Sequence, residues 1–311
     1  MTGSQALLDR KSKGDRAIAW VFHILGIACA SFIVIIILFI LIKGLDPFFK
    51  EYRIDDKLYR VNLFDFLTGD TWFKYPNKYG IGFVILDTIY VTILALLLAT
   101  PLSILSALFI VRIAPKPLAH ILNTSIELLS SIPSIIYGVF GMGVITTMVK
   151  AMGNSIGIQT AGGFSMLSMV IVLALMIYPT ITMVSITSIR AVKASVIQGS
   201  LALGASQTET NFKVVLSSAK TGIFVGITLG VGRALGEATA ISMVCASAGS
   251  GPNFNIFDST RTLTTSILLG MSETTGLDYD IRFSVAVVLI ILILVTNLAL
   301  AFVKRRVGRM E

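Results

Sequence analysis

The sequence predicts an all-α, polytopic membrane protein with six transmembrane helices and cytoplasmic N- and C-termini. Three observations carry that expectation. The 311 residues are 55% hydrophobic and 14% charged, with a mean hydropathy of +0.86, whereas soluble domains sit near a quarter charged. The apolar residues gather in long runs, and about 20 residues at 1.5 Å each cross a hydrocarbon layer of roughly 30 Å. The charges are sided. With the N-terminus inside, the inner segments carry 14 Lys+Arg against 4 Asp+Glu and the outer segments 10 against 10, as the positive-inside rule requires. That siding, and not nucleic acid, accounts for the net charge of +8.

The elements follow in order. Residues 1–16 form a polar tail with Arg10, Lys11, Lys13 and Arg16, and Ala17–Ile42 then run 26 residues without an acid or a base. That apolar core is too long for a secretory signal and reads as a retained first span. Lys43–Gly80 is an outer loop rich in aromatics (Phe48, Phe49, Tyr52, Trp72, Phe73, Tyr75), with room for short interfacial helices. A second span, Ile81–Val111, contains Pro101 and ends at a basic, proline-marked turn through Arg112, Pro115, Lys116 and Pro117. A third covers about Ile121–Val149, where Pro133 and the neighbouring Ser134 loosen the backbone hydrogen bonding. After a Gly-rich loop, 150–163, a fourth covers Phe164–Ile189 with Pro179 near its end. The cytoplasmic loop 190–220 leads to a fifth span, Thr221–Ala246, and a polar outer loop, 247–280, to a sixth, Phe283–Val303. Three parts are thus expected: residues 1–80, a core over 81–303, and a basic tail over 304–311. Cys29 and Cys245, each inside an apolar run, read as buried small hydrophobes, and His23 and His120 as interfacial side chains, so no metal site is expected.

Two features point to function. In the loop 190–220, Val192, Val196, Leu203, Phe212, Val215 and Leu216 alternate with polar residues. This fits two short amphipathic helices on the membrane surface, broken near Gly204. Ser206 and Glu209 have capping-box spacing, and Gly204 just before them suits a left-handed turn. A surface hairpin that only packs on lipid satisfies the same pattern. The second feature is Arg233 and Glu237, four residues apart in the fifth span and so expected on one face of it. An unpaired arginine at mid-membrane costs about 2.5–3.5 kcal/mol on insertion scales. Both residues should therefore face protein or a watery path, either as a clasp between helices or as a charged station for an anion in transit. Gly226, Gly230, Gly232 and Gly236 would let neighbouring helices approach closely.

Gln198–Ser206 resembles the E-A-A-x-x-x-G-A-S loop of ABC-importer permeases, with Gln198 for the acid, Gly199 for one alanine, and Gly204, Ala205 and Ser206 retained. Ser217 stands where that family has a proline. Gly232–Glu237 is similar to the G-R-A-L-G-E segment of the phosphate-specific permeases (the PstC/PstA family). Ser131–Gly138 resembles their G-I-P-S-V-V-Y-G stretch with Ser131 for the first glycine. Phe257, Asp258 and Arg261–Thr264 look like an F-D-x-x-R-T-L-T stretch typical of the PstC type, while the L-L-D-R-K start at Leu7 is also seen in PstA-type chains.

The resemblance implies a type I ABC-importer permease in the cytoplasmic membrane of a prokaryote. Its partners would be a second permease subunit, two ATP-binding subunits and an extracytoplasmic phosphate-binding protein. It also implies that the residues matching Arg233 and Glu237 line the phosphate path, that Gly204, Ala205, Ser206 and Glu209 engage the ATPase, and that Pro133, Ser134, Gly232 and Gly236 serve packing or kinking. ATP and Mg would be bound by the partner ATPase, with no cofactor in this chain. Rival readings are a permease for sulfate or molybdate, a secondary transporter, and a membrane scaffold. The second lacks the internal repeat such proteins show, and the third has no use for a charged pair together with a docking loop.

Overall fold

The computed structural model describes residues 3–54, 56–73 and 78–308, so Tyr75 of the outer loop and Arg309 of the basic tail lie outside the described residues. Among the described residues, six helices are long and apolar enough to cross a membrane: Ile18–Phe49, Gly82–Ile113, Ser134–Ser155, Met166–Arg190, Gln207–Gly236 and Leu277–Arg306. The first belongs to α1 (Gly3–Phe49), which continues past the expected end at Ile42. The charges that suggested that end are matched: Lys43 lies 3.3 Å from Asp280 and 3.6 Å from Asp46. The outer loop then folds as two hairpins around one short helix. Strand β1 (Tyr52–Ile54) pairs antiparallel with β2 (Lys57–Tyr59), α2 (Leu63–Thr68) starts on the Asn62 side chain, and β3 (Trp72–Phe73) pairs with β4 (Lys78–Tyr79).

Helix α3 (Gly82–Leu108) ends in a π-helical turn, Phe109–Ile113. The expected third span, Ile121–Val149, is corrected to two separate pieces. Helix α4 (Lys116–Ser131) is amphipathic and stops; α5 (Ser134–Phe140), a π turn at Gly141–Ile145 and α6 (Thr146–Ser155) form the span. Pro133 produces the break because the residue before a proline is driven out of helical geometry, and Ile132 is extended at φ −65°, ψ 126°. Glu127, placed within a span by the sequence, instead lies on α4 and is exposed.

Helix α7 (Met166–Arg190) passes through Pro179, and α8 (Ala194–Ala202) follows. The expected second surface helix does not stand alone. Helix α9 (Gln207–Glu209), a π turn at Thr210–Val215 and α10 (Leu216–Gly236) make one continuous helical rod from loop to membrane. The fifth span therefore ends at Gly236, not Ala246, because Glu237 is extended (φ −75°, ψ 116°). Beyond it come α11 (Thr239–Ser242), an irregular stretch, α12 (Leu263–Leu268) and α13 (Leu277–Gly308).

Three apolar clusters hold these elements. A central one joins α3, α7 and α11 through Val91, Met169, Met176, Ile177 and Ile241. An outer one seats the hairpins on α12 and α13 through Phe66, Trp72, Phe83, Leu263 and Ile281. An inner one packs Leu108, Ile126, Ile189, Val215 and Ile223 near the loop 190–220. Helix α1 meets α13 where Gly44 approaches Phe283 and Val287, and Ser284 Oγ donates to the Gly44 carbonyl at 2.6 Å. Cys29 is a correction: on the outer surface of α1 it is exposed, not buried.

Candidate functional site

Arg233 occupies the last turn of α10, where the helix dipole favours a cation. Its Nη1 donates to Thr180 Oγ1 on α7 at 2.8 Å, and the side chain is half-buried. Glu237, one residue past the helix, turns the other way. Its Oε1 accepts from the Ala240 backbone N–H at 3.0 Å, capping the first turn of α11. The four-residue spacing places two side chains together only while the helix persists, and it stops at Gly236. The expected same-face pairing of Arg233 with Glu237 is corrected: that pair is absent from the ion pairs among the described residues. Arg233 is left with a neutral partner.

The break is fixed from a second direction. Thr264 Oγ1 donates to the Glu237 carbonyl at 2.8 Å, supplying a partner for a backbone group freed at the helix end. Thr264 sits in α12, whose cap Thr262 forms a capping box with Thr265. That segment is pinned to α3: Leu263 N–H donates to Thr88 Oγ1 at 3.0 Å, and Thr260 Oγ1 donates to the Asp87 carboxylate, which is 0% exposed. Thr180, Thr264 and Asp87 have roles that depend on partners 27 to 173 positions away. The sequence signals Asp87 as an acid inside an apolar run and Thr264 within the Arg261–Thr264 stretch, but neither role, and it carries no signal for Thr180.

The glycines divide. At Gly226 and Gly230 a methyl group would meet Val184 Cβ at 3.1 Å and Ile181 Cδ1 at 2.9 Å, so both close the α7–α10 seam. At Gly232 and Gly236 it would meet nothing within 4 Å. Among the described residues, these two glycines therefore take no part in the α7–α10 seam. Pro133 and Ser134 begin α5. Because Pro133 has no N–H, it cannot serve the Leu129 carbonyl four residues earlier; that carbonyl accepts from the Ile132 N–H at 3.4 Å and from Tyr137 Oη at 2.7 Å. Gly138 brings α5 against α11, with Ala240 Cα and Met243 Sδ at 3.0 and 2.7 Å from an added methyl.

The loop 190–220 has the local form its residues suggested. Gly204 adopts φ +87°. Its N–H reaches the Leu201 carbonyl at 3.0 Å and that of Ala205 reaches Ser200 at 3.3 Å, the paired bonds of a Schellman turn closing α8. Ser206 and Glu209 complete the capping box in both directions, at 3.1 and 3.2 Å, and Lys213 adds a pair to Glu209 at 3.3 Å. Ser200 Oγ and Thr210 Oγ1, 2.9 Å apart, tie α8 to the base of the rod. Arg112 Nε donates to Asn211 Oδ1 at 3.0 Å, joining the rod to the end of α3. Leu203, at the tip of the turn, is 91% exposed. The turn therefore presents this aliphatic side chain as an apolar knob.

Comparisons with known proteins bear on the family and the fold. Residues 99–309 match the family "Binding-protein-dependent transport system inner membrane component". A probable ABC transporter permease of Bacillus subtilis (strain 168), YqgH, is 34% identical over 277 residues, covering 88% of this chain and 85% of the relative. The phosphate transport system permease PstC of Pasteurella multocida (strain Pm70) is 31% identical over 270 residues, 80% of this chain and 81% of its own. Among solved structures, a bacterial ABC transporter that imports alginate aligns with a TM-score of 0.63 at 16% identity, over 92% of this chain and 96% of that one. The MetNI methionine transporter aligns at 0.58, also at 16% identity, over 76% and 99%. The fold is that of type I ABC-importer permeases. The chain belongs to the inner-membrane-component family of binding-protein-dependent transport systems and is a multi-pass ABC-importer permease subunit, not an enzyme.

Proposed function

We propose that this permease subunit carries inorganic phosphate inward across the cytoplasmic membrane of a prokaryote as a PstC-type subunit. Its partners in this reading are a second permease subunit, two ATP-binding subunits and an extracytoplasmic phosphate-binding protein, and both of its termini are cytoplasmic. The observation that carries the reading is Arg233: a guanidinium inside the membrane region, steadied by the Thr180 hydroxyl and not neutralised by Glu237. Such a group has donors left for two oxygens of a tetrahedral oxyanion. Glu237, one residue past the helix end, moderates the local potential so that the anion is released. The identity of the ion is supported by relatives named as phosphate permeases. The Gly204 turn, with Ala205, Ser206, Glu209 and the Leu203 knob, is the surface that receives the motion of the ATPase.

The test is uptake of radiolabelled phosphate by cells carrying Arg233→Ala. Uptake should fall to background while the mutant complex still co-purifies with its ATPase. Normal phosphate uptake in that variant removes Arg233 from the path, and uptake of sulfate or molybdate in place of phosphate by the wild type reassigns the ion.

A further inference from the structure

Outside the Arg233 break, a second guanidinium stands apart from the ion pairs among the described residues. Arg261 lies between α11 and α12, one residue before the Thr262 cap. Its Nη2 donates to Ser247 Oγ at 2.9 Å, and its Cζ lies 5.6 Å from the centre of the Trp72 ring. Its Nε is buried without a hydrogen-bond partner. None of the ion pairs among the described residues includes it. Neighbouring Arg282 is in the opposite condition, with Asp278 beside it at 3.9 Å and donations to the Asp278 and Ser266 carbonyls. Burial, with the Arg282 charge nearby, pushes the Arg261 guanidinium down to about 10 against the opposing influence of Cys245 and Asp278. A buried N–H without an acceptor is costly to leave unmade, and a cation in a partly dry setting attracts an anion more strongly than one in water.

The position of Arg261 connects it to the path. Ser247 and Cys245, both beside its guanidinium, belong to the stretch that follows Glu237 and α11. Thr264, three residues beyond Arg261, holds the Glu237 carbonyl. Trp72, on which Arg261 rests, belongs to the second hairpin of the loop between the first and second spans. Arg261 therefore stands beside the same irregular segment that begins at Glu237, on the side carrying that hairpin.

We propose that Arg261, with Ser247, forms an outer acceptance site for a tetrahedral oxyanion, occupied before the anion reaches Arg233. Trp72 serves as the platform that orients the guanidinium. The proposal rests on the reading of this chain as a phosphate permease. The phosphodiester of a lipid headgroup offers the same oxygens, so the experiment separates free phosphate from lipid.

The complete complex, with its ATPase and phosphate-binding protein, is reconstituted in phosphatidylcholine liposomes, with and without phosphatidylglycerol. Phosphate moved per ATP hydrolysed is measured for wild type, Arg261→Gln and Arg261→Lys. Gln is expected to lower that ratio tenfold or more while the loaded binding protein still stimulates ATPase activity, and Lys to recover at least a third of it. A staple that only braces the loop lowers transport and ATP hydrolysis together, and that result overturns the proposal. So does an unchanged ratio accompanied by loss of the stabilisation conferred by phosphatidylglycerol, which assigns the arginine to lipid. Should Arg261→Gln fail to assemble, Ser247→Asp sets a carboxylate against Arg261 from an exposed position and should lower the ratio equally; an unchanged ratio there also overturns it. A wild-type complex that moves no phosphate defeats the parent reading, whereas a wild type that does, beside an equally active Arg261→Gln, defeats this inference alone.

Discussion

Replacing Gly204 with valine isolates the contribution of one turn to coupling. The position is at φ +87°, and an added methyl meets no atom within 4 Å. The cost is therefore backbone strain with no collision. A left-handed residue bearing a Cβ loses about 1–2 kcal/mol, and a β-branched one sits at the upper end or beyond. If the turn opens, the two bonds that close α8, Gly204 to Leu201 and Ala205 to Ser200, are lost as well, at roughly 0.5–1.5 kcal/mol each. With about 1.4 kcal/mol per factor of ten, a loss near 2 kcal/mol lowers the docking-ready form by about thirtyfold. Membrane insertion should be untouched, since the turn lies outside the spans.

The assay pairs co-purification of the ATPase with phosphate uptake at matched expression. Valine should reduce both by at least tenfold. Asparagine, which tolerates the left-handed region, should keep most of each. Wild-type behaviour of Gly204→Val refutes the link between this turn and the ATPase, and equal failure of asparagine and valine refutes the strain argument.

Leu203→Asp places a charge on the exposed knob and should weaken ATPase association at least tenfold with no change in complex folding, read by pull-down. Thr180→Val removes the hydrogen bond between Arg233 and α7 and should slow uptake severalfold while leaving assembly intact, read by initial rates. Gly230→Leu drives a side chain into Ile181 and should destabilise the α7–α10 seam by about 1–3 kcal/mol, whereas Gly232→Ala, facing open space, should leave the melting temperature of the isolated subunit unchanged. Burial pushes the Cys245 thiol up to about 11, so at pH 8 its thiolate fraction is about one in a thousand. In a Cys29→Ser background, maleimide labelling should be slow near neutral pH and accelerate as pH rises toward 11. Cysteines at Asp70 and Gln207 should label from outside and inside respectively; the reverse would invert the membrane orientation.

The features legible in the sequence were those whose causes lie within a few residues. The turn at Gly204 and the Ser206–Glu209 capping box are local chemistry, and both formed as their residue types require. Six spans follow from hydropathy, a property of composition over twenty residues. Errors arose where a local rule met a distant or competing one. Pro133 is expected to loosen a helix but ends it, because Ile132 before it is extended and the Leu129 carbonyl is held by the Ile132 N–H and Tyr137 Oη. Arg233 and Glu237 were read as helical neighbours, yet Glu237 left the helix to cap α11 while Thr264 took its carbonyl. The two glycines beside Arg233 resembled those of the seam, and only the placement of α7 separated Gly226 and Gly230 from Gly232 and Gly236. Asp87, Thr88 and Thr180 act on partners brought near by folding, for which no spacing rule exists.

The continuity of Gln207–Gly236 has a mechanical meaning. Thirty helical residues measure about 45 Å, and one end carries the Gly204 turn while the other carries Arg233. A tilt of 10° about the midpoint of such a rod displaces each end by about 4 Å, more than the 2.8 Å hydrogen bond between Arg233 and Thr180 can stretch. Under the proposed coupling role, rocking at the Gly204 end obliges Arg233 to exchange its hydroxyl partner at the other. In that proposed role the helix is a crank whose far bearing is Thr180, with the break at Glu237, held by Ala240 and Thr264, as its hinge.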